Sequence, residues 1–266
     1  MNICFYTTDQ PSVANMLNIG YLVHSRPGHN YSFLNVASSR QPLSLKDQLR
    51  AKYAELKHND GRFDYQRDLA QLSKQLQQHV QPLAREKFVN GFADVVNDEK
   101  SELFLKEVKP DLIIQAGAGI LKPNTFNLAK STINVHHGIS PEIRGIDSTF
   151  WCLFYGIKDK VGVTCHFIDE TIDTGAVIVQ EHAATTATSF IDIQAANYLL
   201  GRDVLVKSVD ILDKGDYRIE DAGEVASYYF GGVNPFLYYA LKKRNFQPLM
   251  KPSDKMFKMK GKRMVV

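Results

Sequence analysis

The sequence predicts an α/β chain: an open, mostly parallel sheet flanked by helices, closing in a short helical and irregular C-terminal extension. Three observations predict it. Short apolar runs rich in β-branched and aromatic residues recur between residues 2 and 181, each bounded by turn residues. Segments with leucine and alanine at three- and four-residue spacing lie between them. Strands that alternate with helices pair in parallel, because a parallel pair needs a long crossover.

Residues 2–7 form the first run, ending at Thr7-Thr8-Asp9-Gln10-Pro11, with Pro11 placed to open a helix. Residues 31–38 (YSFLNVAS) are a second strand, preceded by the turn residues Pro27 and Gly28. The stretch 44–108 changes character. SLKDQLRAKYAELK and DYQRDLAQLSKQLQQHVQPLAREKF read as amphipathic helix, broken at Asn59-Asp60-Gly61 and near Pro82. These helices are scaffold on the outside of the sheet, because the heptads of a coiled coil are not sustained. Residues 110–121 run from a buried strand into the Gly117-Ala118-Gly119 turn, and a helix led by Pro123 follows. Residues 131–136, 161–168 and 176–181 are three more strands. Residues 190–212 make one long amphipathic helix, and a tyrosine-rich, then basic, tail begins at Gly215.

Composition narrows the function classes. The chain has 266 residues, 44% of them hydrophobic, enough for a full core. Its 32 Lys and Arg face 29 Asp and Glu, a net +3, so nucleic acid is not the expected partner. No apolar run is long enough to span a bilayer, and the opening MNICFYTTDQ lacks the basic region of a signal peptide. Cys4, Cys152 and Cys165 are too scattered for a disulfide framework or a zinc knuckle; a cytoplasmic location is expected. The Tyr228-Tyr229-Phe230 and Phe236-Leu237-Tyr238-Tyr239 runs are core or the surface of a homodimer.

The Gly117-Ala118-Gly119 turn invites a dinucleotide reading, but Lys122 stands where the third glycine belongs. What survives is a turn of small residues that lets backbone approach a flat ligand. Asn134 and His136 are two apart on a strand and project from one face, where an amide donor and an imidazole could converge on a developing oxyanion. Asp173 lies in the acidic loop between the next two strands. A carboxylate beside His136 would fix its orientation and favour its charged form. A metal-dependent hydrolase built on His136, His137 and His166 is the competing reading, although adjacent strand residues point to opposite faces. Ser140 has no nucleophile-elbow setting.

Asn134-x-His136, followed by Gly138-x-Ser140-Pro141-x-x-Arg144-Gly145, resembles a signature of the 10-formyltetrahydrofolate-dependent formyltransferases. Gly162-Val163-Thr164-Cys165-His166-Phe167, continuing to Asp173-Thr174-Gly175-Ala176-Val177-Ile178, resembles the second signature of that family. The resemblance implies a Rossmann-like sheet, with a catalytic domain over 1–186 that carries the 44–108 segment as a helical insertion, and a C-terminal helix and tail over 187–266. It implies that Asn134, His136 and Asp173 are the catalytic residues, with Thr164 a candidate hydrogen-bond partner of the histidine or of a proton-relaying water. It also implies that N10-formyltetrahydrofolate, as formyl donor, is bound by Gly117, Ala118, Gly119, Ile120, Leu121, Ile168, Asp169 and Glu170. No metal is required. The resemblance implies a small primary amine as acceptor. The layout resembles the small bacterial enzymes that act on nucleotide-linked amino sugars, which implies a place in lipopolysaccharide biosynthesis; Arg144 and the Tyr228-Tyr229 pair are candidates for contacting the acceptor. A glycinamide ribonucleotide-like or amino-acid-derived amine is the alternative, disfavoured in the first case because Thr7-Thr8-Asp9-Gln10 replaces a glycine-rich phosphate loop. The residues after Glu181 are too few for the added barrel of the initiator-tRNA enzymes, so tRNA is not the expected acceptor.

Overall fold

The structure is a computed structural model that describes residues 1–38, 64–187, 189–250 and 257–265. The expected helix over SLKDQLRAKYAELK lies outside the described residues. Strands β1 (Asn2–Thr8), β2 (Asn30–Val36), β3 (Val89–Ala93), β4 (Leu112–Ala116) and β5 (Ser131–His136) pair in parallel in the order β3-β2-β1-β4-β5. Beyond β5, strands β7 (Gly162–Phe167) and β8 (Val177–His182) add antiparallel. Their direction follows from the short connection between them, which a parallel pair could not use.

Helix α1 (Val13–Ser25) starts where Ser12 accepts the Asn15 amide hydrogen, one position beyond the Pro11 start that the sequence suggested. The long helix α6 (Phe190–Lys214) begins at a Ser189 cap and ends at Gly215 in the left-handed conformation, close to the expected bounds. Ile3, Phe5, Phe33, Leu112, Ile114 and Ile133 from the strands meet Ile19 and Leu22 of α1 and Val204, Leu205 and Val209 of α6 in one core. On the opposite face Tyr6, Leu34 and Ile113 pack on Leu105 of α3 (Glu99–Val108). Strands covered on both faces read as continuous apolar runs, which is why they were legible.

The 44–108 segment is not wholly helical. Its described part holds α2 (Asp64–Gln77), the edge strand β3 and α3. β3 (VNGFA) is short, with Val89 and Phe92 exposed, and the leucine spacing on either side of it masked the strand. The C-terminal part is not an irregular tail. β9 (Arg218–Phe230) and β10 (Phe257–Val265) form a long antiparallel pair that joins the sheet edge through β8, with α7 (Pro235–Lys243) between them in sequence. β9 also pairs with the short β6 (Ile143–Gly145), which brings the C-terminal part back to the end of β5. The remaining helices are α4 (Pro123–Phe126) and α5 (Ser148–Tyr155).

No helix among the described residues is long and apolar enough to cross a membrane. Cys4, Cys152 and Cys165 are buried free thiols; burial pushes Cys4 and Cys165 up to about 12 and Cys152 higher still.

Candidate active site

Strand β5 ends beside two connections, residues 137–147 and 168–176, and these deliver the polar groups. Asn134 and His136 leave β5 on one face, with Asn134 opposite His166 and His136 opposite Thr164 of β7. His136 is buried; its Nε2 lies 2.9 Å from the Ile143 carbonyl oxygen and its Nδ1 3.5 Å from Asp173 Oδ2. Asp173 has a φ of 55°, a left-handed conformation that aspartate tolerates better than most residues. Its carboxylate accepts the Gly145 amide hydrogen at 2.9 Å, and Arg144 Nη1 donates to the Ile172 carbonyl at 3.3 Å, so the β6 segment holds the acidic loop.

The ring and the acid are held in opposed senses. Burial pushes the His136 imidazolium below its ordinary pKa, against the pull of Asp173. Burial alone would raise the Asp173 carboxyl; attraction to His136, contact with His166 and the Gly145 hydrogen bond outweigh it and hold the group at about 2. His166 approaches the second carboxylate oxygen, with Nε2 3.5 Å from Oδ1.

Thr164 does not bind the ring. Its hydroxyl donates to the Gly138 carbonyl at 2.7 Å and accepts from the Ser140 amide and from Gln180 Nε2, so it clamps the loop that passes over His136. That loop needs Gly138: a Cβ there would lie 2.5 Å from His136 Nε2. His137 turns to the other face, edge-on to the Tyr198 ring at 4.6 Å. Among the described residues no three His, Cys, Asp or Glu side chains are grouped to hold a metal ion.

Two clefts open at this strand end. The larger, about 480 Å³, is bounded by Asn134, His136, Asp173, the start of α5, Tyr65 and Leu69 of α2, and Gln194 and Tyr198 of α6. The smaller, about 270 Å³, is bounded by Gln115, Gly119, Ile120, Leu121, His166 and residues 168–173. Asn134, Asp173, Ile120 and Ile172 border both. Of the eight residues expected to hold the folate, Gly119, Ile120, Leu121, Ile168, Asp169 and Glu170 line the smaller cleft. Gly117 and Ala118 do not: Gly117, at φ 87°, bridges to Thr7 and packs against the Asn15 amide.

Sequence reasoning missed Gln115 and the whole α2 and α6 contribution. Tyr65 sits in a segment read as scaffold, and nothing in a leucine period marks which side chains reach a cleft. Its hydroxyl donates to Asp147 Oδ1 at 2.9 Å, while Asp147 Oδ2 accepts the Val233 amide, which ties α2, the α5 start and the C-terminal part together. Arg144 and Tyr229, expected near the acceptor, are together: the guanidinium lies 5.7 Å from the ring centroid, and its Nε donates to Ser227 Oγ at 2.8 Å. Tyr229 lines the larger cleft, whereas Tyr228 stacks on Phe230, outside its lining.

Residues 65–192 match the formyl transferase family. A GDP-perosamine N-formyltransferase of Brucella melitensis is 36% identical over 149 residues, 52% of this chain and 55% of that protein. A methionyl-tRNA formyltransferase of Chlorobium chlorochromatii is 32% identical over 121 residues, 44% of this chain and 37% of that protein. The matched parts thus span about half or less of these curated relatives' length. A solved sugar N-formyltransferase from a Shewanella species superposes with a TM-score of 0.55 at 16% identity, over 87% of this chain and 76% of that one, a likeness of fold alone. Residues 65–192, just under half of the chain, are thus similar to formyl transferases, and the similarity covers the strand end that carries Asn134, His136 and Asp173.

Proposed function

We propose that the protein transfers a formyl group from N10-formyltetrahydrofolate to the primary amine of a nucleotide-linked amino sugar. The observation that carries this reading is the pair of clefts meeting at Asn134 and Asp173. Group transfer brings two ligands to one set of reacting atoms, and here each has its own cleft with the polar side chains on the common wall. The smaller cleft suits the flat ring system of a folate: Ile120, Leu121, Ile168 and Ile172 supply apolar walls, and Gln115, Asp169, Glu170 and Thr171 polar edges. The larger suits the acceptor. Exposed Ile146 and Tyr229 at its mouth, with the Arg144 guanidinium fixed over the Tyr229 ring, match the base and phosphates of a nucleotide. The Brucella relative, a GDP-perosamine enzyme by name, supports the same acceptor class. A cytoplasmic location suits the three free thiols.

In the reaction a neutral amine attacks the formyl carbon, and negative charge develops on the carbonyl oxygen. Asn134 donates an amide hydrogen to that oxygen, a contribution of roughly 3–4 kcal/mol for a well-placed donor, and His136, whose Nδ1 faces Asp173, turns its Nε2 from the Ile143 carbonyl to donate from the other side. Asp173 holds His136, the proton that the amine loses passes to this His136–Asp173 pair, and the pair returns one to N10 as the old bond breaks.

The test is incubation with 10-formyltetrahydrofolate and a panel of nucleotide amino sugars, read by mass spectrometry for the gain of one CO on the acceptor. His136→Ala and Asp173→Asn are each expected to lower kcat about 10²–10³-fold with the fold intact by circular dichroism. Near-normal turnover in either variant refutes the assignment of these residues. No formylated product across the panel refutes the acceptor class.

A further inference from the structure

Asp173 stands between two imidazoles, and the transfer chemistry above uses only one of them. The far nitrogen of each ring rests on a main-chain carbonyl: His136 Nε2 on Ile143 at 2.9 Å, His166 Nδ1 on Phe167 at 2.8 Å. The near nitrogens each lie 3.5 Å from a different Asp173 oxygen. Each ring therefore lies between two oxygen atoms; the Asp173 contacts are ion-pair distances, and His166 Nε2 is buried with no hydrogen-bond partner among the described residues. A neutral imidazole has one N–H and can satisfy one of them; an imidazolium satisfies both. All three side chains are at least nine-tenths buried, with relative exposures of 7% for His136, 3% for His166 and 9% for Asp173. The single negative charge of the carboxylate compensates one added proton, whereas a second would leave a net positive charge in a buried site. Two seats thus compete for one proton.

We infer that His166 is a positioning residue of the transfer reaction, sharing one proton with His136 across the Asp173 carboxylate. This rests on the formyl-transfer reading. The titratable groups facing His166 are His136 from β5 and Asp173 from the acidic loop; Asp169 and Glu170 of that loop border the same cleft, and β8 presents the uncharged Val177 opposite. The proton balance of the step shows why a second seat helps. When the amine attacks, its lone pair forms the new N–C bond and the carbonyl π pair moves to oxygen. The adduct's ammonium gives one proton to the cluster, and the cluster gives one to N10 as the C–N10 pair returns to that nitrogen and the carbonyl re-forms. The cluster ends with the proton count it began with. With His136 alone, the proton that steadies the oxyanion and the one leaving the amine meet at one ring. His166 receives the first while the second passes.

The test uses His166→Gln, which keeps an N–H donor toward Asp173 and cannot titrate, beside the unmodified enzyme. With an acceptor that the unmodified enzyme formylates, kcat is expected to fall about tenfold or more, with both KM values within about twofold and the acid limb of the kcat–pH profile displaced. Independently, the His136 ring resonance, followed by NMR against pH in the protein without ligands, is expected to titrate at higher pH in the variant, because a competing cation has been removed. In the unmodified protein the two ring resonances are expected to move together through shared inflections, a readout that does not depend on the variant folding. An unchanged kcat–pH profile, or rings that titrate independently in the unmodified protein, overturns the inference. If no amine is formylated while the ring titrations are coupled, the shared proton stands and the transfer reading fails. Active enzyme whose rings titrate separately keeps the transfer reading and removes the shared proton.

Discussion

Gly138 shows how little room surrounds the imidazole. It has no Cβ where a Cβ would come within 2.5 Å of His136 Nε2 and 3.0 Å of Ser148 Oγ. Gly138→Ala is expected to move the ring off the Ile143 carbonyl and to lower kcat about 10–100-fold, the scale of an ångström misplacement, with a small change in Tm. Steady-state kinetics beside a thermal melt checks it; normal kcat in a well-folded variant contradicts the role given to this loop. At this scale the sequence was informative where chemistry and strand period coincide. Asn134 and His136 share a face because they are two apart, and that follows from pleat geometry alone. The partner of Thr164 did not follow, because a hydroxyl on β7 can turn to any of several neighbours, and main chain reached it first.

Helix α2 is fastened by its acidic face. Asp68, buried, accepts from the Tyr238 hydroxyl at 2.7 Å and from Lys242 Nζ at 2.7 and 2.9 Å, which joins α2 to α7. Asp68→Ala leaves a buried hydroxyl and an ammonium without their acceptor. Lys242 is one-third exposed and keeps Asp64 at 4.0 Å, so the change is expected to cost roughly 1–3 kcal/mol by urea unfolding and to raise the acceptor KM more than the folate KM, because Tyr65 and Leu69 of the same helix border the larger cleft. An equal rise in both would detach α2 from acceptor binding. The elements themselves were legible wherever burial on both faces produced a continuous apolar run, as in β1, β4 and β5. They were not legible in the C-terminal part. β9 (RIEDAGEVASYYF) is mostly exposed and charged along its first half, so it carries no apolar run, and its pairing with β10 and β6 is set by distant chain.

Across the whole molecule, acid weakens this protein through histidines that fold in the neutral form. Burial, with a smaller push from His136, lowers His137 to about 3. Between that value and the ordinary histidine range near 6.5, the unfolded chain binds a proton that the native state refuses, so stability rises with pH across the window and is lost as pH falls through it. His136, lowered in the same sense, adds to the slope. His137→Leu is expected to reduce the stability difference between about pH 8 and about pH 4.5 by roughly 2–3 kcal/mol, measured by chemical denaturation. An unaltered difference would mean that other groups carry the slope.

Because Asn134, Asp173, Ile120 and Ile172 border both clefts, a ligand in one and a ligand in the other would touch the same four side chains. On the proposed reading, the formyl carbon needs no temporary home on a side chain. Initial rates measured against both ligands should therefore give intersecting double-reciprocal lines, the mark of a ternary complex, where a parked formyl group would give parallel ones.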